Sequence, residues 1–427
     1  MSTHSSKRNS FARRKVGIVA ACRFPAPRGS QIHIGEMARA LASAGEEVHL
    51  IAPLDPHGPE VPYARHALSR IMRFRPRPSV SGLHLLERPF FDALLTLRLL
   101  DVVRREQLEV LHAHNYEGLA AALVARQVFG TRVVYHAHNI AEDELPLYTP
   151  RWLSPAVTRA ARAMDGFLPR MADQVVVLSA DVGRHLVGRG VVESRIWEIP
   201  PGLDPTPFQA ARRSVRAPRV VFAGNCDQYQ NLEMLFRAWS LVAAGNPHAE
   251  LRVVTHARGS VLARRRMSAL APRIQIIEAE SLAEVAAELG AARVGVSPRH
   301  SWSGFPIKTL NYMAAGLPTV ALAGSAKGVV DGETGWVVQE NTPAAFAAAM
   351  SEALAEPDES ARRGAAAWRR LGEEHSWPRL AQPLLGCTRA ALGASTAGDF
   401  ARLSLAPFPA AALPVEASPG GRTRIQA

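Results

Sequence analysis

Lys308 stands in the stretch SWSGFPIKTLNYMAAGLPTVA, residues 301–321, which holds one lysine, one asparagine (Asn311) and no carboxylate. The stretch reads as a turn, a helix and a buried strand. Pro306 occupies the place of a first helical residue, where its missing N–H costs nothing. The N–H groups of about residues 305–308, flanked by Arg299, Gly304, Phe305 and Ile307, then converge at a helix start. With the Lys308 ammonium beside them they suit a diphosphate, as hydrogen-bond donors and as a point charge. A second anion-facing turn is ACRFPAPRGSQIH, 21–33, where Gly29 and Ser30 open a helix. It has no G-x-G-x-x-G, which argues against a nicotinamide or flavin site, and Gly29 alone also reads as an ordinary turn. A third, VVFAGNCDQYQNLEML at 220–235, puts Gly224 and Asn225 at a strand end, as a ligand-approaching turn or a plain connection.

Histidine supplies the other chemistry. His112/His114 and His136/His138 form two H-x-H units at strand ends, and period-two spacing aims each pair at one face, so four imidazoles can cluster. Carboxylate or cysteine support in register is missing, so no metal is expected. His112 and His136 read as structural. His138 closes its strand just before Asn139 and the carboxylates Glu142, Asp143 and Glu144, where an imidazole can donate to a sugar hydroxyl or a leaving oxygen.

The elements that position these groups alternate regularly. KVGIVAA (15–21), a helix over 31–44 and EEVHLIA (46–52) make a βαβ unit with parallel strands. VLHAH (110–114), a helix over 118–129, RVVYHAH (132–138), an amphipathic segment 151–171, QVVVLS (174–179) and RIWEIPPGLD (195–204) complete a first half. A second half begins at PRVVFAG (218–224). It runs through helix 231–244, ELRVVT (250–255), strand 273–278, helix 281–291, RVGVSP (293–298), helix 307–315, PTVAL (318–322), GWVV (335–338) and helices 342–355 and 359–374. Two doubly wound α/β domains follow, each a parallel sheet covered on both faces and opening its crevice at the strands' carboxyl ends. The expected organisation is a disordered basic arm (1–14), a first domain (15–204), a linker (205–217), a second domain (218–375), a last helix (376–393) and a disordered tail (394–427).

With 427 residues, 47% of them apolar and 21% charged, the chain reads as a globular protein of two domains without a membrane-length apolar run. Its basic start has no apolar stretch after it, so no secretory signal is expected. The net charge of +12 comes from arginine: among 50 Lys and Arg residues only Lys7, Lys15, Lys308 and Lys327 are lysine. No aromatic-interleaved basic stripe or RNP-like sequence accompanies it, which argues against nucleic acid and leaves peripheral contact with an anionic membrane as a partner. Three widely spaced cysteines form no disulfide framework and fit a reducing cytoplasm.

The succession FPAPRGSQIHIGEMARALASAGEEVHLIAP, HAHNYEGLAAAL, YHAHNIAEDELPLY, VVVLSADVGRHL, IPPGLD, FAGNCDQYQNLEML and GFPIKTLNYMAAGLPTVA resembles the family 4 retaining glycosyltransferases of the GT-B fold over roughly residues 15–392. The resemblance implies a nucleotide-sugar donor held by the second domain, an acceptor held by the first, a closing hinge, no metal or cofactor, and a final helix crossing back at SWPRLAQPLLGCTRAAL. It implies donor contacts around Gly29, Ser30, Gly224, Asn225, Arg299, Gly304–Lys308 and Asn311. It assigns His138 to the transferring sugar, and His114, Asn115, Asn139 and Glu142 become the acceptor-side candidates. The chain departs from the family at four charged positions. The usual Glu-x7-Glu falls on Ser303 and Asn311, and the usual diphosphate-gripping Arg and Lys fall near Asp227 and Gln230. Pro306, Lys308, Asn311 and Tyr312 resemble a proline-x-lysine version of the motif. Glu280 and Glu288 have the carboxylate spacing but precede strand 293–298 and are discounted. The alternative is a scaffold that kept the fold and lost donor chemistry; a sugar-nucleotide epimerase would need acids and bases not found at strand ends.

Overall fold

The structure is a computed structural model that describes residues 13–24, 29–54, 60–68, 84–255 and 272–393, without the side chains of 84–88. Residues 1–12 of the expected arm and the expected tail lie outside the described residues. Arg14, assigned to the arm, is instead tied to the first sheet: its N–H donates to Glu46 and its guanidinium to Glu109 at 2.9 Å.

The first lobe contains β1 (Lys15–Ala20), α1 (Gly29–Ser43), β2 (Glu47–Ala52), β3 (Ala64–Ala67), α2 (His84–Glu106), β4 (Val110–His114) and α3 (Asn115–Phe129). It continues with β5 (Arg132–Ala137), the single turn α4 (Ala141–Glu144), α5 (Ser154–Phe167), β6 (Gln174–Val177), α6 (Ala180–Gly188) and β7 (Ile196–Glu198). The sheet is parallel in the order β3-β2-β1-β4-β5-β6-β7. Its central strands are apolar runs buried on both faces, as a sheet covered by helices on each side requires. β3 and α2 were not legible in the sequence: β3 is a four-residue edge strand, and α2 carries Pro89 inside an otherwise helical pattern.

The second lobe comprises β8 (Arg219–Ala223), α7 (Leu232–Gly245), β9 (Glu250–Thr255), β10 (Ile274–Glu278), α8 (Leu282–Ala291) and β11 (Val294–Ser297). After these come α9 (Ile307–Ala314), β12 (Thr319–Leu322), β13 (Gly335–Val338), α10 (Pro343–Ala355) and α11 (Pro357–Glu374). Its sheet, β10-β9-β8-β11-β12-β13, is again parallel, with the order reversing between β8 and β11. In such sheets the reversal opens a crevice at the carboxyl ends of the strands, and the corresponding reversal in the first lobe falls between β1 and β4. The connecting segment is packed rather than bare: Phe208 and Ala211 are buried with Leu289 of α8.

The last helix, α12 (Trp377–Ala391), lies on the first lobe. Leu380, Leu384, Leu385, Cys387 and Ala391 share one core with Ile34, Met37 and Leu41 of α1. Trp377 donates to Glu36 at 2.7 Å, and its ring fills the space a Cβ on Gly202 would need. Among the described residues no helix is long and apolar enough to cross a membrane.

Candidate active site

The two crevices face each other and form one cleft of about 680 Å³. The lobes touch across it. A Cβ on Gly29 would stand 2.9 Å from Ile307 of the other lobe. Gly304, in the left-handed region at φ +74°, would bring such a Cβ against Asn139 Oδ1 and within 2.9 Å of the His138 carbonyl oxygen, so a side chain there would be strained and would also press on the other lobe's backbone. Asp143 Oδ2 accepts from the Ser301 hydroxyl at 2.5 Å, the Ser303 hydroxyl at 2.6 Å and the Ser303 N–H at 3.1 Å. Lys327 pairs with Asp181 in a second bridge between lobes.

Lys308 is in the wall of this cleft and only 8% exposed. Its Nζ donates to Gln230 Oε1 at 2.5 Å and stands 3.8 Å from the centroid of the Phe222 ring, with no carboxylate partner among the described residues. Burial first, then the positive charge of Arg299, push its pKa well below the ordinary lysine value. Arg299 is equally buried; it donates to Ser301 at 3.1 Å and to the Ser303 carbonyl, while its Nε has no partner. Among the described residues Lys308 forms no ion pair, and Arg299, although Asp143 and Glu144 lie within reach of its charge, keeps one donor without a partner, so the wall is short of anionic acceptors. Pro306 is the cap rather than the first helical residue: its ψ of 94° is not helical and α9 begins at Ile307. Tyr312 is structural, since its hydroxyl accepts from Ala223 N–H at 2.9 Å and donates to the Val296 carbonyl at 3.1 Å. Asn225 lines the cleft but spends its amide on Asp227, Tyr229 and Gln230.

The four imidazoles do cluster. His114 and His136 stack with centroids 4.4 Å apart, His112 Nδ1 is 2.8 Å from His136 Nε2, and His114 Nδ1 is 2.7 Å from His138 Nε2. The row begins at α12: the Thr388 hydroxyl donates to the Leu384 carbonyl, so it accepts from His112 Nε2–H at 3.0 Å. A neutral His112 then accepts at Nδ1 from His136. The row ends at the cleft, where His138 meets His33 edge-on at 5.5 Å. Burial pushes the pKa values of His112 and His138 down to about 4, and burial followed by repulsion from His138 takes His33 to about 3. His138 is therefore a neutral hydrogen-bonding group at pH 7. With Nε2 committed to His114, it offers Nδ1.

Gly29, Ser30, His138, Asn139, Gly224, Asn225, Arg299, Phe305, Pro306, Ile307, Lys308 and Asn311 all line the cleft. Four expected contacts do not. Gly304 is consumed by the approach of the lobes. His114 is fully buried behind His138. Asn115 starts α3 at φ +61° and is outside the lining. Glu142 points to Arg162 at 2.5 Å and to Arg189, away from the cleft. Glu144, His33, Tyr148 and Glu280 line it instead. Glu280, discounted with Glu288 for preceding strand 293–298, stands just before α8, whereas Glu288 lies on it and pairs with Arg252 at 3.2 Å. Residues 142–144 occupy one helical turn and so diverge by about 100° each, which means at most one of the three faces the ligand.

Two doubly wound parallel sheets facing each other across a cleft define the GT-B fold class. Models of this class match most of the chain: "Glycosyltransferase Family 4" over residues 27–207 and "Glycosyl transferases group 1" over residues 217–356. The chain belongs to the family 4, group 1 glycosyltransferases. It is 24% identical over 391 residues to phosphatidyl-myo-inositol mannosyltransferase of Mycobacterium tuberculosis, covering 87% of this chain and 95% of that protein. Sucrose-phosphate synthase from Thermosynechococcus elongatus superimposes with a TM-score of 0.75 at 20% identity, covering 90% of this chain and all of that one. Anabaena HepE in complex with UDP and glucose gives a TM-score of 0.65 at 14% identity over 88% of this chain and 99% of that one.

Proposed function

We propose that the protein transfers a sugar from a nucleoside-diphosphate sugar to an acceptor hydroxyl with retention of anomeric configuration, in the synthesis of a surface polysaccharide, glycolipid or glycoconjugate. The observation that carries this reading is the buried pair in the cleft wall, Lys308 with no ion-pair partner among the described residues and Arg299 with an unpartnered Nε. A diphosphate supplies that anion, and the charge that develops on it as the glycosidic bond breaks is stabilised most where water is excluded. Neutral His138 orients the sugar through Nδ1. The leaving phosphate takes the acceptor proton, so the reaction needs no carboxylate pair of the kind a glycoside hydrolase uses. HepE, whose solved complex holds UDP and glucose, supports a nucleotide in this cleft by its shared fold.

Thermal shift with UDP, GDP, dTDP and their sugar conjugates tests the reading. One nucleotide should raise the melting temperature, by about 2.7 kcal/mol of linkage at a hundredfold excess over Kd. A second reading, a non-catalytic scaffold, is favoured by Ser303, Asn311, Asp227 and Gln230 at positions where the family places charged groups of other kinds. The absence of any response across the panel would select it.

A further inference from the structure

We propose that Glu144, from the first lobe, is the carboxylate that holds hydroxyls of the transferring sugar, in place of one from the 299–311 loop of the second lobe. The proposal rests on the glycosyl-transfer reading and names a specificity-determining contact within it.

The loop has no carboxylate of its own, and its hydroxyls are already used. Ser301 and Ser303 spend their donor protons on Asp143, and the lone pairs they keep are neutral acceptors, weaker for a sugar hydroxyl than a carboxylate. The carboxylates near the reacting centre come from α4, and its single turn sends them three ways. Glu142 goes to Arg162 and Arg189, Asp143 crosses to the opposite loop, and Glu144 faces the cleft beside His138 and Asn139.

Glu144 is also held ready. The Arg299 charge and the neighbouring Asn139 side chain favour its ionised form. Among the described residues, however, no arginine or lysine forms an ion pair with it. Burial works the other way and raises its pKa, the mark of a carboxylate short of solvent and of donors. Sugar hydroxyls are donors of the right kind: two neighbouring hydroxyls can share one carboxylate while His138 Nδ1 takes a third. On the same wall, Arg299 joins the two subsites, touching the sugar-side carboxylate electrostatically and contributing its idle Nε to the diphosphate.

The test compares free UDP and GDP with UDP-glucose and GDP-mannose, measuring affinity by titration calorimetry for the wild type, Glu144→Gln and Glu144→Asp. The isosteric Glu144→Gln should bind the free nucleotide within about twofold of wild type, which also shows that it is folded. It should lose the extra affinity contributed by the sugar, with turnover falling about 10- to 100-fold. Glu144→Asp should recover part of both. The proposal is overturned if Glu144→Gln keeps the wild-type difference between nucleotide and nucleotide-sugar. It is equally overturned if nucleotide and nucleotide-sugar weaken alike, because the carboxylate would then serve the nucleotide. Failure of the wild type itself to bind any of the four probes, or dTDP and dTDP-glucose besides, would instead remove the glycosyl-transfer reading, and this proposal with it.

Discussion

Lys308→Ala is expected to lower kcat/KM for the nucleotide-sugar about 100- to 1,000-fold, the usual cost of deleting one donor aimed at developing charge in a dry site. The same variant should no longer be stabilised by nucleotide. Without ligand, its melting temperature should stay within a few degrees of wild type, because the ammonium has no carboxylate to lose. Lys308→Met is the sharper companion. It keeps the aliphatic stem packed on Phe222 and removes only the charge, so both variants should fail alike if charge is what matters. Steady-state release of free nucleotide checks this; wild-type turnover in Lys308→Met would rule out diphosphate stabilisation by this residue.

Acid should unfold the protein cooperatively at about pH 5, well above the range in which carboxylates titrate. The cause is the buried imidazole row. An unfolded histidine takes up a proton below about pH 6.5, but the fold keeps His112 and His138 neutral to about 4, His33 to about 3 and the more distant His375 to about 4. His114 and His136 are lowered further in the same direction, by burial and then by their neighbouring imidazoles. A folded pKa below the unfolded one means that this stability is complete above pH 6.5 and is lost as pH falls towards 4. Each such group costs the native state about 2 kcal/mol at pH 5, so the set costs on the order of 10 kcal/mol, comparable with the whole stability of a domain. Glu36 opposes this: burial raises its pKa to about 7, so the fold binds that proton first and gains as pH falls. Burial also raises Glu46, Glu144 and Glu198, by less, and these carboxyls together reduce the effect of the six imidazoles without cancelling it. Circular dichroism melts between pH 7.5 and 4.5 measure the effect, and a melting temperature flat from pH 7 to pH 5 would contradict it. The double variant His112→Gln/His136→Asn should remove about a third of the dependence.

Much of this architecture is written locally. Runs such as VGIV, VVVL and RVVFA cannot be satisfied except in a strand buried on both faces, and the period-two spacing of His112 with His114 forecast the stacked row. The same logic put Gly29, Gly224 and the 305–308 turn at strand ends, and hence in the cleft. What failed depends on partners distant in the chain. Ser303 and Asp143 are 160 positions apart, so no local pattern reveals that one lobe's acid meets the other lobe's hydroxyls. Lys308 was legible as a cation at a helix start, but not as one roofed by Gln230 from another loop. Glu142 was chosen over Glu144 because three adjacent acids look equivalent until a single helical turn separates their directions.

The seating of α12 on the first lobe also bears on how the chain is made. The core that holds Ile34, Met37 and Leu41 takes in Leu380, Leu384 and Leu385 and stays incomplete until residues 377–391 arrive, and His112 lacks its Thr388 acceptor until then. During synthesis the second lobe, though it emerges later, can close its core while the earlier one still awaits its final covering. The order of completion is thus the reverse of the order of translation, and a ribosome that stalls near residue 376 releases a half-dressed, sticky chain.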